Sequence, residues 1–204
     1  MKLKLIGLVT SLMLFGAMPS QAVPLVDLGN NTYDPNTGLL WLDVTFTGGN
    51  SYNNVINLMG TGQPLYGYRY ATAAEVSTLF TDAGITSSRF GPPDGETPFF
   101  QTLISLLGAT DTSSPNIIYT FGIIGNLASS GNQQEALLYL SSVPGHEAQY
   151  AIAGGYSINQ DYAFSNVGSF LVATPLPAAL PLFATGLGGL GLLGWRRKRK
   201  SAAT

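Results

Sequence analysis

Tyr33-Asp34-Pro35-Asn36-Thr37-Gly38-Leu39-Leu40-Trp41 is the stretch on which the fold turns. Pro35 fixes its own φ and Gly38 is free to take φ > 0, so Asp34 to Gly38 reads as a turn. Short strands are expected on either side, at Leu25–Leu28 and Leu39–Leu42. Downstream, Tyr52, Val55, Ile56 and Met59 recur at helical spacing and predict a helix over Ser51–Met59. Gly67–Tyr70 reads as a short strand. Thr72-Ala73-Ala74-Glu75 is a capping box, in which Thr72 accepts from the amide three residues on and Glu75 reaches back. It opens a second helix whose apolar face is Val76, Leu79, Phe80 and Ala83, with Gly84 as the stop. Arg89–Thr97 reads as a loop and Phe99–Leu107 as a third, shorter helix. Strands are expected at Ile117–Ile124, Ala136–Ser141, Gln149–Ala153 and Gly168–Ala173. Helices early and antiparallel strands late argue a single α+β domain.

Charge divides the chain into three segments. The 204 residues carry 9 Lys+Arg and 11 Asp+Glu, a net charge of −2. Residues 1–22 contribute +2, from Lys2 and Lys4, and residues 175–204 contribute +5. The segment between sums to −9, with Arg69 and Arg89 its only cations and all eleven acids its own. An acidic central segment has no footprint for nucleic acid. With no cysteine, disulfides, thiolate metal sites and cysteine nucleophiles are excluded together. Residues 23–174 are long enough to bury one sizeable core without such staples.

The two ends read as topological signals. Lys2 and Lys4 precede an uncharged apolar run from Leu5 to Met18, and Pro19 breaks it. Ser20-Gln21-Ala22 then places small residues at −3 and −1 of a cut after Ala22, the grammar of a secretory signal peptide. A buried N-terminal helix would have no reason to end in that step. At the other end, Pro175-Leu176-Pro177 precedes an uncharged apolar stretch, residues 178–195, and then Arg196-Arg197-Lys198-Arg199-Lys200. Such a stretch just spans a hydrocarbon core of roughly 30 Å as a helix. The basic cluster predicts a cytoplasmic tail, which leaves the central segment outside the membrane.

That C-terminal arrangement resembles a PEP-CTERM sorting signal over residues 175–200. In that family an exosortase, an integral-membrane cysteine protease, cuts near the motif and releases or transfers an exported protein. The family is typical of Gram-negative bacteria that make exopolysaccharide. Leu176 stands where the family's central glutamate would be. The resemblance implies signal peptidase and exosortase as partners, an inner-membrane stage before processing, and a final place at the cell surface or in the extracellular matrix. A plain single-span anchor is the alternative.

The opening stretch is similar to the start of Lcl C-terminal-type domains, which begin with an Asp-x-x-Thr-Gly-Leu-x-Trp pattern. The matching positions are Asp34, Thr37, Gly38 and Trp41, followed by Arg69, Thr72 and Glu75 in a second block. Phe170-Leu171-Val172 matches the family's closing strand. Tyr68 and Ala71 replace the family's tryptophan and proline, and its cysteines are absent. The resemblance implies a C-type-lectin-like fold and polysaccharide as ligand, with the seven matching residues as structural positions. Arg69 is expected to pair with a carboxylate such as Glu75, and Trp41 to lie in the core.

Chemistry-bearing clusters are sparse. His146 is the sole histidine, so multi-histidine metal sites are excluded, and no Gly-x-Ser-x-Gly elbow stands ready to pair with it. Asp34-x-Asn36-x-Gly38 begins like a calcium loop, but an EF-hand register would place Leu39 and Thr45 where glycine and glutamate are needed. Asp94, Glu96 and Asp111 are the better calcium ligands, since Ca²⁺ takes oxygen ligands on loops. Calcium is therefore the one cofactor considered, and no catalytic residue is assigned. The expected function is a non-enzymatic, exported protein associated with exopolysaccharide or another glycan. A −9 domain repels anionic polysaccharide, so binding would rest on neutral sugars, tyrosine stacking or bridging Ca²⁺. The alternatives are a secreted hydrolase that uses the acidic loop and a purely structural surface protein.

Overall fold

The computed structural model describes residues 24–86, 96–144 and 148–173. The signal segment with Ser20 and Ala22, the sorting motif Pro175-Leu176-Pro177, the span at 178–195, the basic tail, Arg89, Asp94 and His146 lie outside them. Among the described residues the chain forms two sheets and three α-helices, an α+β architecture. No described helix is long and apolar enough to cross a membrane.

The first sheet is built from strands β1 (Val26–Asp27), β2 (Asn31–Asp34), β3 (Leu39–Leu42), β4 (Tyr68–Tyr70) and β9 (Leu171–Ala173). Its order is β1-β2-β3-β9-β4, and every pairing is antiparallel. The turn at Pro35–Gly38 joins β2 to β3 as a hairpin, with Gly38 at φ 72°. Strand β2 is not among the expected elements, because Asn-Thr-Tyr-Asp is polar. Its inward positions Thr32 and Asp34 are nonetheless fully buried, and each finds partners there. Thr32 Oγ1 donates to the Leu106 carbonyl at 3.1 Å, tying the sheet to a helix 74 residues away.

The second sheet has the order β7-β6-β5-β8, from β5 (Ile117–Leu127), β6 (Gln133–Ser141), β7 (Ala148–Ile158) and β8 (Gly168–Ser169). Strands β5, β6 and β7 form an antiparallel meander, all longer than the sequence suggests. The expected single strand Gly168–Ala173 is two strands in two sheets. β8 runs parallel to β5, which corrects the all-antiparallel expectation, and the chain crosses to the first sheet at Phe170. The Phe170 amide donates to the Ile123 carbonyl, while its own carbonyl accepts from Ala71. One residue thus stitches both sheets.

Two of the three helices pack on the second sheet, and the first lies over a separate cluster. Helix α1 (Tyr52–Leu58) is capped by Ser51, whose side chain accepts from the Asn54 amide. Helix α2 (Ala73–Asp82) begins at the full capping box of Thr72 and Glu75. Helix α3 (Thr97–Leu107) has proline in its first turn, and Gly108 follows at φ 81°. Val76, Leu79 and Phe80 of α2 meet Phe100, Leu103 and Leu107 of α3 in the main core, with Ile124, Ala136, Leu138 and Phe170 from the strands. Phe80 packs edge-on to Tyr150 and Phe170, with ring centroids 5.3 and 6.3 Å away. Full burial of each such side chain stabilises the fold by roughly 1.5–3 kcal/mol. A second cluster, with Leu42, Val55, Leu65, Ile123 and Leu171, fills the space under α1.

Candidate functional site

The residues of the lectin-like pattern are brought together as scaffolding. Asp34 accepts from the Asn36 amide at 3.0 Å and from Thr37 Oγ1 at 2.6 Å, and the Leu39 amide donates to Thr37 Oγ1. These bonds and Gly38 make the hairpin turn. Trp41 is buried in the core, as its place on the inner face of β3 requires. Arg69 forks onto Glu75, with Nη1 to Oε2 at 2.9 Å and Nη2 to Oε1 at 2.5 Å. Glu75 Oε2 also accepts from the Thr72 amide at 2.8 Å. The Arg69 hydrogen bond holds the Glu75 carboxyl down to about 2. Every partner of this cluster is its own neighbour, so it fixes the entry to α2 and offers nothing to a ligand.

Of the calcium candidates Asp94 lies outside the described residues, and Glu96 and Asp111 stand apart. Glu96 precedes α3 and accepts from the Thr86 amide and hydroxyl. Asp111 follows α3, where it accepts from the Ser113 amide and the Asn166 side chain. The 11-residue helix between them is about 16 Å long, so the two carboxylates stand at opposite ends of it. Among the described residues no group of three or more His, Asp or Glu side chains is placed to hold a metal.

A different carboxylate draws attention. Glu135 lies on the central strand β6, only 4% exposed, and neither carboxyl oxygen has a hydrogen-bond partner. Burial pushes its carboxyl up to about 7. A buried polar group without a partner costs on the order of 1–3 kcal/mol; Trp41 Nε1, Asp43 Oδ1 and Asp82 Oδ2 are single atoms in that state, and Glu135 alone among the described residues has both oxygens so placed.

The sheet opens around this residue on both sides. Toward β5 the register runs from Ile123↔Glu135 to Leu127↔Gln133, so β5 carries extra residues opposite Gln134. Toward β7 it runs from Ala136↔Ile152 to Gln134↔Ser157, so β7 bulges at the level of Glu135 itself. Ala153 in that bulge has φ 53°, the one non-glycine residue at positive φ among the described residues. Bulges and such outliers are over-represented at binding and catalytic sites, where they redirect side chains. Gln133 supports the β5 bulge: turned with its nitrogen inward, its amide donates to the Ile124 and Asn126 carbonyls at 3.1 Å each.

A cavity of about 290 Å³ opens beside Glu135, lined also by Phe121, Ser157, Phe164 and Asn166. Of these Phe164, on the loop after β7, is 46% exposed, and it is in edge contact with Tyr162, 64% exposed, with centroids 6.4 Å apart. The loop is held in place. Its Phe164 carbonyl accepts from the Gly49 and Val167 amides, its Gln160 carbonyl accepts from the Asn53 amide, and Asp161 accepts from the Asn53 side chain at 2.7 Å. Asn166 donates to Asp111 Oδ2 at 3.3 Å, which orients its amide. The cleft therefore offers a carboxyl, an amide and a hydroxyl beside the exposed ring of Phe164.

Sequence reasoning misses this site. Its one signal is parity: alternation places Glu135 on the same strand face as Leu137 and Tyr139, a carboxylate in apolar company. Asn166 and Phe164 come from a loop 30 residues away, and only the fold joins them to Glu135. No family model matches the chain, and no match is found among curated proteins or solved structures.

Proposed function

We propose that this is a PEP-CTERM-type exported protein, sorted by exosortase to the cell surface or matrix of a Gram-negative bacterium. There it associates with exopolysaccharide without acting on it. The domain binds glycan in a C-type-lectin-like fold. The return of the last strand, β9, between β3 and β4 of the opening sheet supports that fold assignment. The observation that carries the binding reading is Glu135, a buried carboxyl with no hydrogen-bond partner beside a cavity that the exposed ring of Phe164 lines. That combination suits a ligand with many hydroxyls and one apolar face.

Two measurements test the reading. Mass spectrometry of the extracellular protein should find a start at Val23 and no basic tail, whereas an intact Lys200 contradicts processing. The same protein should be retarded in a gel that contains the bacterium's own exopolysaccharide. Migration unchanged by the polymer contradicts glycan association.

A hydrolase is the second reading, and the raised carboxyl of Glu135 favours a site there over one at the acidic loop of Asp94 and Glu96. Release of reducing ends from the polysaccharide by wild type, lost in Glu135→Gln, would decide for it. Retention without release decides for binding.

A further inference from the structure

We propose that the Glu135 cleft is a subsite for one neutral pyranose ring, whose hydroxyls bond to Glu135, Asn166 and Ser157 while its apolar face lies on Phe164. This rests on the glycan-binding reading and narrows it to a sugar class and a place.

Size is the first argument. About 290 Å³ is at the lower edge of ligand pockets, which run from about 300 to 1,000 Å³, so the cleft takes a single ring of a longer polymer. Hydrogen-bonding capacity is the second. Glu135 brings a carboxyl, Asn166 an amide with one N–H already given to Asp111, and Ser157 a hydroxyl that is donor and acceptor at once. Vicinal hydroxyls are also donors and acceptors, so they match such a mixed set. A bare cation would need acceptors alone. Charge is the third argument. Residues 23–174 contain no lysine, and Arg69 is taken up by Glu75. Among the described residues no cation lines the cleft, while Asp111 stands behind Asn166. A uronate or sulfate placed there would face the Asp111 carboxylate with no described cation to offset it.

The aromatic rim completes the fit. Phe164 is half exposed although its backbone is pinned by two hydrogen bonds, so the ring is presented at little further cost in order. The bulge in β7 sets Ser157 opposite Gln134, next to Glu135, where it also lines the cleft.

The test uses the protein purified from the extracellular fraction, titrated calorimetrically with methyl glycosides of glucose, galactose and mannose, and with glucuronic acid and glucosamine. At least one neutral glycoside should bind saturably. Phe164→Ala should weaken it at least about tenfold, and Glu135→Leu should abolish it. Glu135→Leu keeps the side-chain volume and removes the unpartnered carboxyl, so its thermal midpoint should rise while binding is lost. A purely structural glutamate would not give that opposite pair of effects. Binding of glucuronic acid in preference to the neutral sugars, binding of glucosamine alone, or undiminished binding by Glu135→Leu would each overturn the proposal. The two readings fail separately. Retention on exopolysaccharide that persists in Glu135→Leu removes this subsite and leaves glycan association intact. Loss of wild-type retention together with saturable glycoside binding does the reverse.

Discussion

Glu135 and Glu75 are two carboxyls displaced in opposite directions, and their displacement sets how stability follows pH. Burial raises Glu135 from an ordinary 4.5 to about 7, so the folded chain holds its proton more tightly than the unfolded chain. Its contribution to stability is fully present below 4.5 and is lost as pH rises through 7. Asp43 and Asp82 act in the same sense, both raised by burial, with Asp27 and Asp34 as their respective acidic neighbours. Glu75 is lowered from 4.5 to about 2 by Arg69, so its contribution is present above 4.5 and is lost as pH falls through 2. The joint contribution of the two glutamates is therefore greatest near pH 4.5, and the thermal midpoint should decline as pH rises from there through 7. Glu135→Gln should flatten that decline, worth on the order of 2–3 kcal/mol, in melts followed by circular dichroism. An equal decline in the variant would show that Glu135 is not the group responsible. Thr72→Ala removes the N-cap acceptor of α2 and should cost about 1 kcal/mol in denaturant unfolding.

At the scale of elements, legibility followed how local the cause was. Helix α2 could be read from the sequence because the capping box and apolar face lie within a dozen residues of each other, and the observed bonds are the expected ones. The turn at Asp34–Gly38 was legible for the same reason. Strand β2 was not, because Asn31 to Asp34 are polar and earn strand geometry only from Thr32 meeting α3 and Asp34 closing the turn. The break at Phe170 was invisible in Gly168–Ala173, a run with no proline or further glycine after Gly168, because contacts from Ala71 and Ile123 impose it. Gly168 makes that crossing possible. A Cβ there would stand 1.9 Å from the Val44 carbonyl oxygen, on the 3-10 turn at Val44–Thr47. Gly168→Ala should cost about 3 kcal/mol or more, seen as a large drop in the unfolding midpoint. A midpoint within error of wild type would mean that the two sheets are not joined as tightly as described.

For the whole molecule, the net charge of −2 describes no working form if both ends are removed as proposed. What remains is an acidic domain with almost no cations, built on two sheets that share Phe170 as a seam. Its candidate site was the least legible part, since Glu135, Ser157, Phe164 and Asn166 meet only through two bulges and a pinned loop. The acidic segment also makes a statement about conditions. If association depends on neutral sugar and not on bridging metal, a chelator should leave retention on the polysaccharide unchanged, and moderate salt should alter it little. Strong loss on chelation would return the account to calcium and to carboxylates such as Asp94, Glu96 or Asp111.

The most direct test is affinity electrophoresis of the extracellular protein through gels with and without the bacterium's exopolysaccharide, wild type beside Glu135→Leu. Wild type should be retarded by the polymer, and the variant should run as if none were present while melting at a higher temperature. Equal migration of the two proteins in the polymer gel would contradict a glycan site at Glu135.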